Sequence, residues 1–373
     1  RRLSKLYIKV REVSGGRSQA RLLDPPTVST PNGVLVNFAG HSTLTVKKLD
    51  PKILELKTTF GLDVTDIRTG LGRISLFVAA QQRQIVDLAR VWLDAKWPAS
   101  GPDTLSSFLV GVREDNGAPL WLNLQGGFGG NDEHAPHTLI AGETGSGKGV
   151  LTQNLLLQMI AFNEPSALKL YVIDPKHGVD FAWINRAPHL ARKIVTTQDE
   201  SGEVLDELVA EMERRYELFQ ATGATKISEY NAKVSKTERL PLCVVIHDEM
   251  ADWMASSDEY KQVVQQCFTR LAAKARAAGI HVIMITQRAA NDAIPVGIRD
   301  NLGNRLCLKV AGEAGSKLAL GMPGAERLLG KGHVAARVGG DKPEGGDFFI
   351  AQVPFANTDD LNILADTIYA AIS

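Results

Sequence analysis

Apolar residues recur along this chain in two rhythms. From residue 137 onward, unbroken apolar runs, "HTLIAG", "LKLYVID", "LCVVIHDE" and "HVIMITQR", alternate with longer stretches of helical character. Runs of that length without polar alternation are expected of parallel strands covered on both faces, and the intervening stretches of crossover helices. The stretch 203–219 sets Leu205, Leu208, Val209, Met212, Tyr216 and Phe219 on one helical face, with Glu211, Glu213, Arg214 and Arg215 largely off it.

Before residue 126 the rhythm is shorter. "GVLVNFAG", "STLTVKKL" and "ISLFVAA" read as β-rich runs, and "RQIVDLARVWLDAKW" has helical spacing through Ile85, Leu88, Ala89 and Trp92. "SSFLVGVREDNGAPLWLNL" sets two apolar runs around Asp115, Asn116 and Gly117, the signature of a β-hairpin. "GGFGGNDEHAP", residues 126–136, is Gly-rich and aperiodic and reads as a linker. The expected organisation is a small α+β unit over 1–125, a linker over 126–136, an α/β unit with a mainly parallel central sheet over 137–355, and a C-terminal helix over 356–373.

Composition adds limits. With 42 Lys and Arg against 42 Asp and Glu the formal net charge is zero, so a polyanion must be held by local patches. No apolar run approaches the roughly 20 residues that span a bilayer. Cys243, Cys267 and Cys307 stand far apart in apolar runs, as expected of reduced core thiols in the cytoplasm. The chain opens at Arg1 in the middle of polar sequence, which fits an excised part of a longer protein whose remainder could carry an anchor.

The chemistry concentrates in three places. "GETGSGK", residues 142–148, is a P-loop: its glycines let backbone N–H groups face one concavity, the following helix adds its positive dipole end, and Lys148 reaches the β and γ phosphates. Gly142, Glu143, Thr144, Gly145, Ser146, Gly147, Lys148, Gly149 and Val150 are therefore expected to cradle ATP. The hydroxyl usual after the lysine, a Mg²⁺ ligand, is replaced by Gly149, and a water ligand could stand in for it. Thr152, three residues on, is expected to be too distant to substitute. Next, "LCVVIHDEM" ends an apolar strand with Asp248 and Glu249, where open α/β sheets bind ligands. Asp248 is expected to hold Mg²⁺ through water and Glu249 to polarise the attacking water. His247 occupies a position usually apolar and reads as packed against the sheet. Last, "HVIMITQR" offers Gln287 as a sensor of the γ phosphate.

These blocks, with "YVIDPKHG", "EMERRYELFQATGATKISEYN", "LAAKARAAGIHVIMITQR" and "GAERLLGKGHV", resemble in order and spacing the FtsK and SpoIIIE family of DNA translocases, RecA-like P-loop motors of the FtsK and HerA group. The resemblance runs from about residue 137 to 353, with a looser likeness of residues 1–125 to the small domain that precedes the motor. It implies a ring, usually a hexamer, with double-stranded DNA through its pore and ATP between subunits. An arginine from the neighbouring subunit is then needed, and Arg276 matches that position, with Arg270 and Arg288 as alternatives. Pore contacts are implied near 223–239 and 288–298, which makes Lys226, Lys233, Lys236 and Arg288 candidates for DNA phosphates; an ordinary solvated loop accounts for the same charges. Asp174 and Lys176 belong to the family pattern without an assigned role. The chain ends soon after its C-terminal helix, so the winged-helix module that orients chromosome-segregating members is not expected here. Two other readings stay open: a hydrolysis-impaired nucleotide-binding module, suggested by Gly149, and a related motor with another cargo in conjugation, protein export or anti-phage defence.

Overall fold

The computed structural model describes residues 2–14, 21–70, 72–97, 106–125, 134–287, 294–339, 343 and 347–372. Most of the expected linker, and Arg288 with the start of the second expected pore segment, lie outside them.

The N-terminal part runs α1 (Arg2–Val13), β1 (Leu22–Thr30), β2 (Gly33–Ala39), α2 (Val46–Phe60), β3 (Val64–Gly70), β4 (Arg73–Ala79) and the short α3 (Leu88–Asp94). Among the described residues its strands form an antiparallel sheet in the order β1-β2-β4-β3. Leu6 and Val10 of α1 and Leu49 and Leu56 of α2 share a core with Phe38 and Leu76 of that sheet. The segment read as the second β-run, "STLTVKKL", instead leads into α2, which starts at Val46. Its apolar residues Leu49, Ile53 and Leu56 continue at helical intervals past the β-branched pair Thr45 and Val46, and this longer pattern outweighs local propensity. The helix stops where Gly61 takes φ 61°, its amide donating to the Lys57 carbonyl and that of Leu62 to the Leu56 carbonyl. The helix expected from Arg83 is only seven residues long: Val86 and Leu88 exchange backbone hydrogen bonds with Phe355, so helical winding begins only after Asp87, whose side chain caps it.

The rest runs β5 (Ser107–Arg113), β6 (Pro119–Asn123), β7 (Thr138–Ala141), α4 (Lys148–Ala161), β8 (Leu168–Ile173), α5 (Gln198–Thr222), α6 (Ile227–Lys233), β9 (Leu242–His247), α7 (Met250–Ser256), α8 (Asp258–Ala278), β10 (Ile280–Thr286), α9 (Val296–Asn301), β11 (Asn304–Leu308), α10 (Glu313–Ala319), β12 (His333–Arg337), β13 (Phe349–Gln352) and α11 (Thr358–Ile372). Among the described residues the strands make one nine-stranded sheet, β6-β5-β13-β12-β11-β7-β10-β9-β8. The block β11-β7-β10-β9-β8 is parallel, and the other four strands extend it antiparallel.

The hairpin expected at 106–124 forms, but it falls within the unit expected over 1–125 and is bonded to the sheet of the second. Val112 and Arg113 of β5 pair with Gln352 and Ala351 of β13, and a Cβ on Gly111 would meet the Gln352 carbonyl at 2.6 Å. The buried Gln158 of α4 holds Leu109 of the same strand, accepting from its N–H at 2.6 Å and donating to its carbonyl at 3.0 Å. His134 is likewise packed, its Nδ1 accepting from the Asn123 amide. Two apolar layers flank the sheet, one with α5 and α8, the other with α4 and α11. In α5, Arg215 is buried against expectation: its guanidinium donates to the carbonyls of Pro241 and Ala278 and to Glu211, stapling the starts of β9 and β10. No helix among the described residues is long and apolar enough to cross a membrane.

Candidate nucleotide site

Parallel strands bring their C-terminal ends to one edge, and β7, β9 and β10 lie side by side there. Their adjacency carries residues 142–148, the acidic pair and Gln287 to the same place, although more than one hundred residues separate the first from the last.

The loop after β7 turns through Gly145 (φ 75°) and Gly147 (φ 110°) into α4. A Cβ on Gly147 would strike the Gly332 nitrogen at 2.5 Å, so glycine is needed for both conformation and space. Lys148 folds over the loop, its Nζ donating to the carbonyls of Gly142 (2.6 Å) and Glu143 (3.1 Å). Burial lowers its pKa, against the pull of Glu249 and Asp248. Thr144 donates to Gln287 Oε1 at 2.5 Å, and the Gln287 amide donates to Glu249 Oε1 at 3.0 Å. One continuous chain of hydrogen bonds thus joins the three motifs.

Asp248 and Glu249 are buried. Burial pushes the Asp248 carboxyl up to about 6; Lys176 opposes this, and Asp174, Glu249 and Asp180 add to it. Asp174 and Lys176 of "IDPK" are therefore part of the site. Glu249 sits in the left-handed region at φ 42°, a conformation that costs a non-glycine residue about 1–3 kcal/mol and persists only where surroundings enforce it. Glu249 Oε2, Asp174 Oδ2 and Ser146 Oγ are buried without a hydrogen-bond partner among the described residues. Unpaired acceptors and a hydroxyl, a glycine cradle and one lysine are the donor set that a Mg²⁺–nucleoside triphosphate requires, so the residues present fit that group.

Gly149 occupies the first turn of α4, and a Cβ there meets nothing within 4 Å. The hydroxyl of Thr152 donates to the Lys148 carbonyl at 3.0 Å and lies buried on the core side of the helix, so it does not take the missing role.

The segment 329–333, notable in the sequence for its resemblance alone, completes the rim. The Gly332 amide donates to the Ser146 carbonyl at 2.7 Å, and Lys331 stands at φ 50° between two glycines. The glycine–lysine–glycine triplet was the available signal for a backbone held in close approach. From the other side, Arg83 of the N-terminal part donates to the Gly330 carbonyl (2.9 Å), Gln352 Oε1 (2.7 Å) and Asn32 Oδ1 (2.6 Å). Beneath it the fully buried Glu114 accepts from Asn32 (2.7 Å) and Arg68 (3.0 Å) and faces His333 Nε2 at 3.2 Å. Burial alone would raise its pKa; His333, Arg68 and Asn32 override that and hold it at about 2.

The remaining candidates lie at the opposite sheet edge. Arg276 lies in the last turn of α8, before β10, so about 20 Å of strand separates it from Gln287. It is exposed, and its guanidinium donates to the His134 carbonyl at 2.8 Å. The stretch 223–239, expected as a loop, folds as α6 and a short 3₁₀ turn because Ile227 and Tyr230 pack on Phe219. Lys226 is exposed at the start of α6. Lys233 caps α5, donating to the carbonyls of Thr222 and Gly223, and Lys236 lies 3.8 Å from Glu164.

Comparison with known proteins agrees with this geometry. The DNA translocase FtsK of Listeria monocytogenes is 37% identical over 285 residues, 74% of this chain and 35% of that protein. The DNA translocase SpoIIIE of Bacillus subtilis (strain 168) is 41% identical over 219 residues, 56% of this chain and 27% of that protein. The chain thus matches about a third of the length of these relatives. The pCW3 conjugation coupling protein TcpA, in a monomer form with ATPγS, superposes with a TM-score of 0.65 at 22% identity, covering 100% of this chain and 98% of that one. The cytoplasmic domain of the Thermomonospora curvata type VII secretion ATPase EccC gives 0.61 at 18%, covering 76% and 34%. Both likenesses speak to the fold, that of a RecA-like P-loop ATPase. The family model for FtsK/SpoIIIE matches residues 106–291, and these residues form a domain of the FtsK/SpoIIIE family.

Proposed function

We propose that this chain hydrolyses ATP and uses the energy to move double-stranded DNA through a ring of identical subunits, probed first as a hexamer. The observation that carries the reading is the hydrogen-bonded chain from Thr144 through Gln287 to Glu249, which sets the phosphate loop, the γ-phosphate sensor and the acid around one volume. Lys148, released from the Gly142 and Glu143 carbonyls, neutralises charge on the β and γ phosphates of the substrate. Glu249 orients the attacking water through its unpaired Oε2, and Gln287 reads the γ phosphate. Asp248 would hold Mg²⁺ through water, and the bound ion would supply neutralisation of phosphate charge. Arg276 cannot serve its own subunit's loop from the far sheet edge, which supports a role in completing a neighbour's site. Lys226 and Lys236 on that edge offer sequence-blind contacts to DNA phosphates, Arg288 remains a candidate outside the described residues, and Lys233 is engaged in capping α5.

The test is ATPase activity with and without duplex DNA. Wild type is expected to be stimulated by DNA, and Lys148→Ala and Glu249→Gln to fall to background. Wild-type turnover at background with Mg²⁺, DNA and assembled rings all present would overturn the motor reading in favour of a hydrolysis-impaired module, the alternative that Gly149 suggests. A different cargo, as in the conjugation and secretion proteins of like fold, is separated by filter binding to duplex DNA, whose affinity must fall steeply with salt if phosphates are gripped.

A further inference from the structure

Behind the acidic pair lies a buried polar relay that the reaction as outlined does not use. His247 Nδ1 is 3.2 Å from the Asp248 carbonyl, His247 Nε2 is 2.7 Å from the Tyr260 hydroxyl, and that hydroxyl is 2.7 Å from Ser201 Oγ. All three side chains are buried, and Trp253 closes the cluster edge-on to both rings, with centroids 5.7 and 5.6 Å away.

Hydrogen-bond chemistry fixes the direction of the relay. A carbonyl only accepts, so Nδ1 must carry the ring hydrogen; in a neutral imidazole Nε2 must then accept, and Tyr260 is its donor. The Tyr260 oxygen in turn accepts from Ser201. The Asp248 carbonyl belongs to the peptide that leads into Glu249, the residue at φ 42°. Its own N–H side is pinned by the Ile173 carbonyl at 2.9 Å. The two ends of Asp248 are thus held by the sheet and by His247, and the relay is anchored in α5 through Ser201 and in α8 through Tyr260.

We propose that His247 is a positioning residue: its Nδ1–H fixes the Asp248 carbonyl so that the left-handed turn presents Glu249 to the Gln287 amide and to the attacking water, with Tyr260 and Ser201 locking the ring. An apolar residue at this place, the ordinary occupant of a buried strand end, has no donor for that carbonyl. The inference rests on the ATPase reading above.

Three variants test it. Asn places its side-chain NH₂ where Nδ1 stands, Gln places it nearer Nε2, and Leu keeps bulk without a donor. Turnover of His247→Leu is expected to fall roughly 10–100-fold, with affinity for a non-hydrolysed ATP analogue unchanged within about twofold. His247→Asn is expected to return to within about threefold of wild type, and His247→Gln to behave like Leu. A leucine variant that turns over like wild type overturns the inference while leaving the ATPase reading intact. ¹⁵N spectra of histidine-labelled protein decide the relay independently of turnover: His247 is expected as the Nδ1–H tautomer, and to stay so in Tyr260→Phe, where the Asp248 carbonyl still accepts from Nδ1 and Ser201 Oγ lies 3.4 Å from Nε2. The Nε2–H tautomer in wild type would overturn the proposal even if no variant folded, and background turnover of wild type would sink the ATPase reading alone.

Discussion

Glu114→Gln probes the junction between the four-stranded unit and the nucleotide rim. The wild-type carboxylate is fully buried and answers to Asn32, Arg68 and His333. Its pKa is held at about 2 against an ordinary 4.5, equivalent to about 3 kcal/mol of preference for the charged form in the folded state. Removing one partner of a buried ion pair independently suggests about 3–5 kcal/mol, because among the described residues Arg68 then keeps Asp66 as its acid. A carboxylate whose folded pKa is depressed binds protons more weakly when folded. Its contribution is complete above about pH 4.5 and is lost as pH falls toward 2. Urea unfolding of wild type and variant, compared at pH 7 and pH 3, is expected to give a difference of about 3 kcal/mol that shrinks by about half. A difference under about 1 kcal/mol at pH 7, or one unchanged at pH 3, would refute the account of a charged, partnered Glu114.

Asp248 carries the opposite sign. Its pKa is raised to about 6 from an ordinary 3.8, so the folded state prefers the neutral acid, and stability from this group is lost as pH rises between those values. Asp248→Asn is expected to raise the unfolding free energy at pH 7 by up to about 3 kcal/mol while ending turnover, with the gain gone by about pH 4. A variant no more stable than wild type at pH 7 would count against that environment. Gly149→Ser restores the hydroxyl without a clash, and steady-state ATPase is expected to stay within about threefold of wild type, since Mg²⁺ readily keeps water in a ligand's place. A gain of tenfold or more would mean that the natural site is impaired.

Much of the site was legible in the sequence because its parts are local: a strand, a glycine turn and a lysine, or a strand and two acids, are each spelled out in consecutive residues. Parallel pairing then brings the pieces to one edge without further information. The long α5 was equally readable from its 3.6-residue rhythm. What was hidden depends on partners remote in the chain. Glu114 meets Arg68 across 46 residues and Asn32 across 82, and nothing in its own neighbourhood distinguishes it from a solvated turn residue. Arg215 looked like one more surface charge until Pro241 and Ala278 offered it carbonyls. The hairpin was readable as a hairpin, but its allegiance to β13 is fixed by residues more than two hundred positions later. At α2, a β-branched start pointed the wrong way because tertiary burial of Leu49 and Leu56 outranks propensity.

Arg83 grips the carbonyl of Gly330 while the amide of Gly332 grips Ser146. Only one residue lies between those two handholds, and so short a tether reaches roughly 7 Å at full stretch and has no slack to take up. A tug on the guanidinium end therefore arrives at the phosphate cradle as displacement rather than being absorbed on the way.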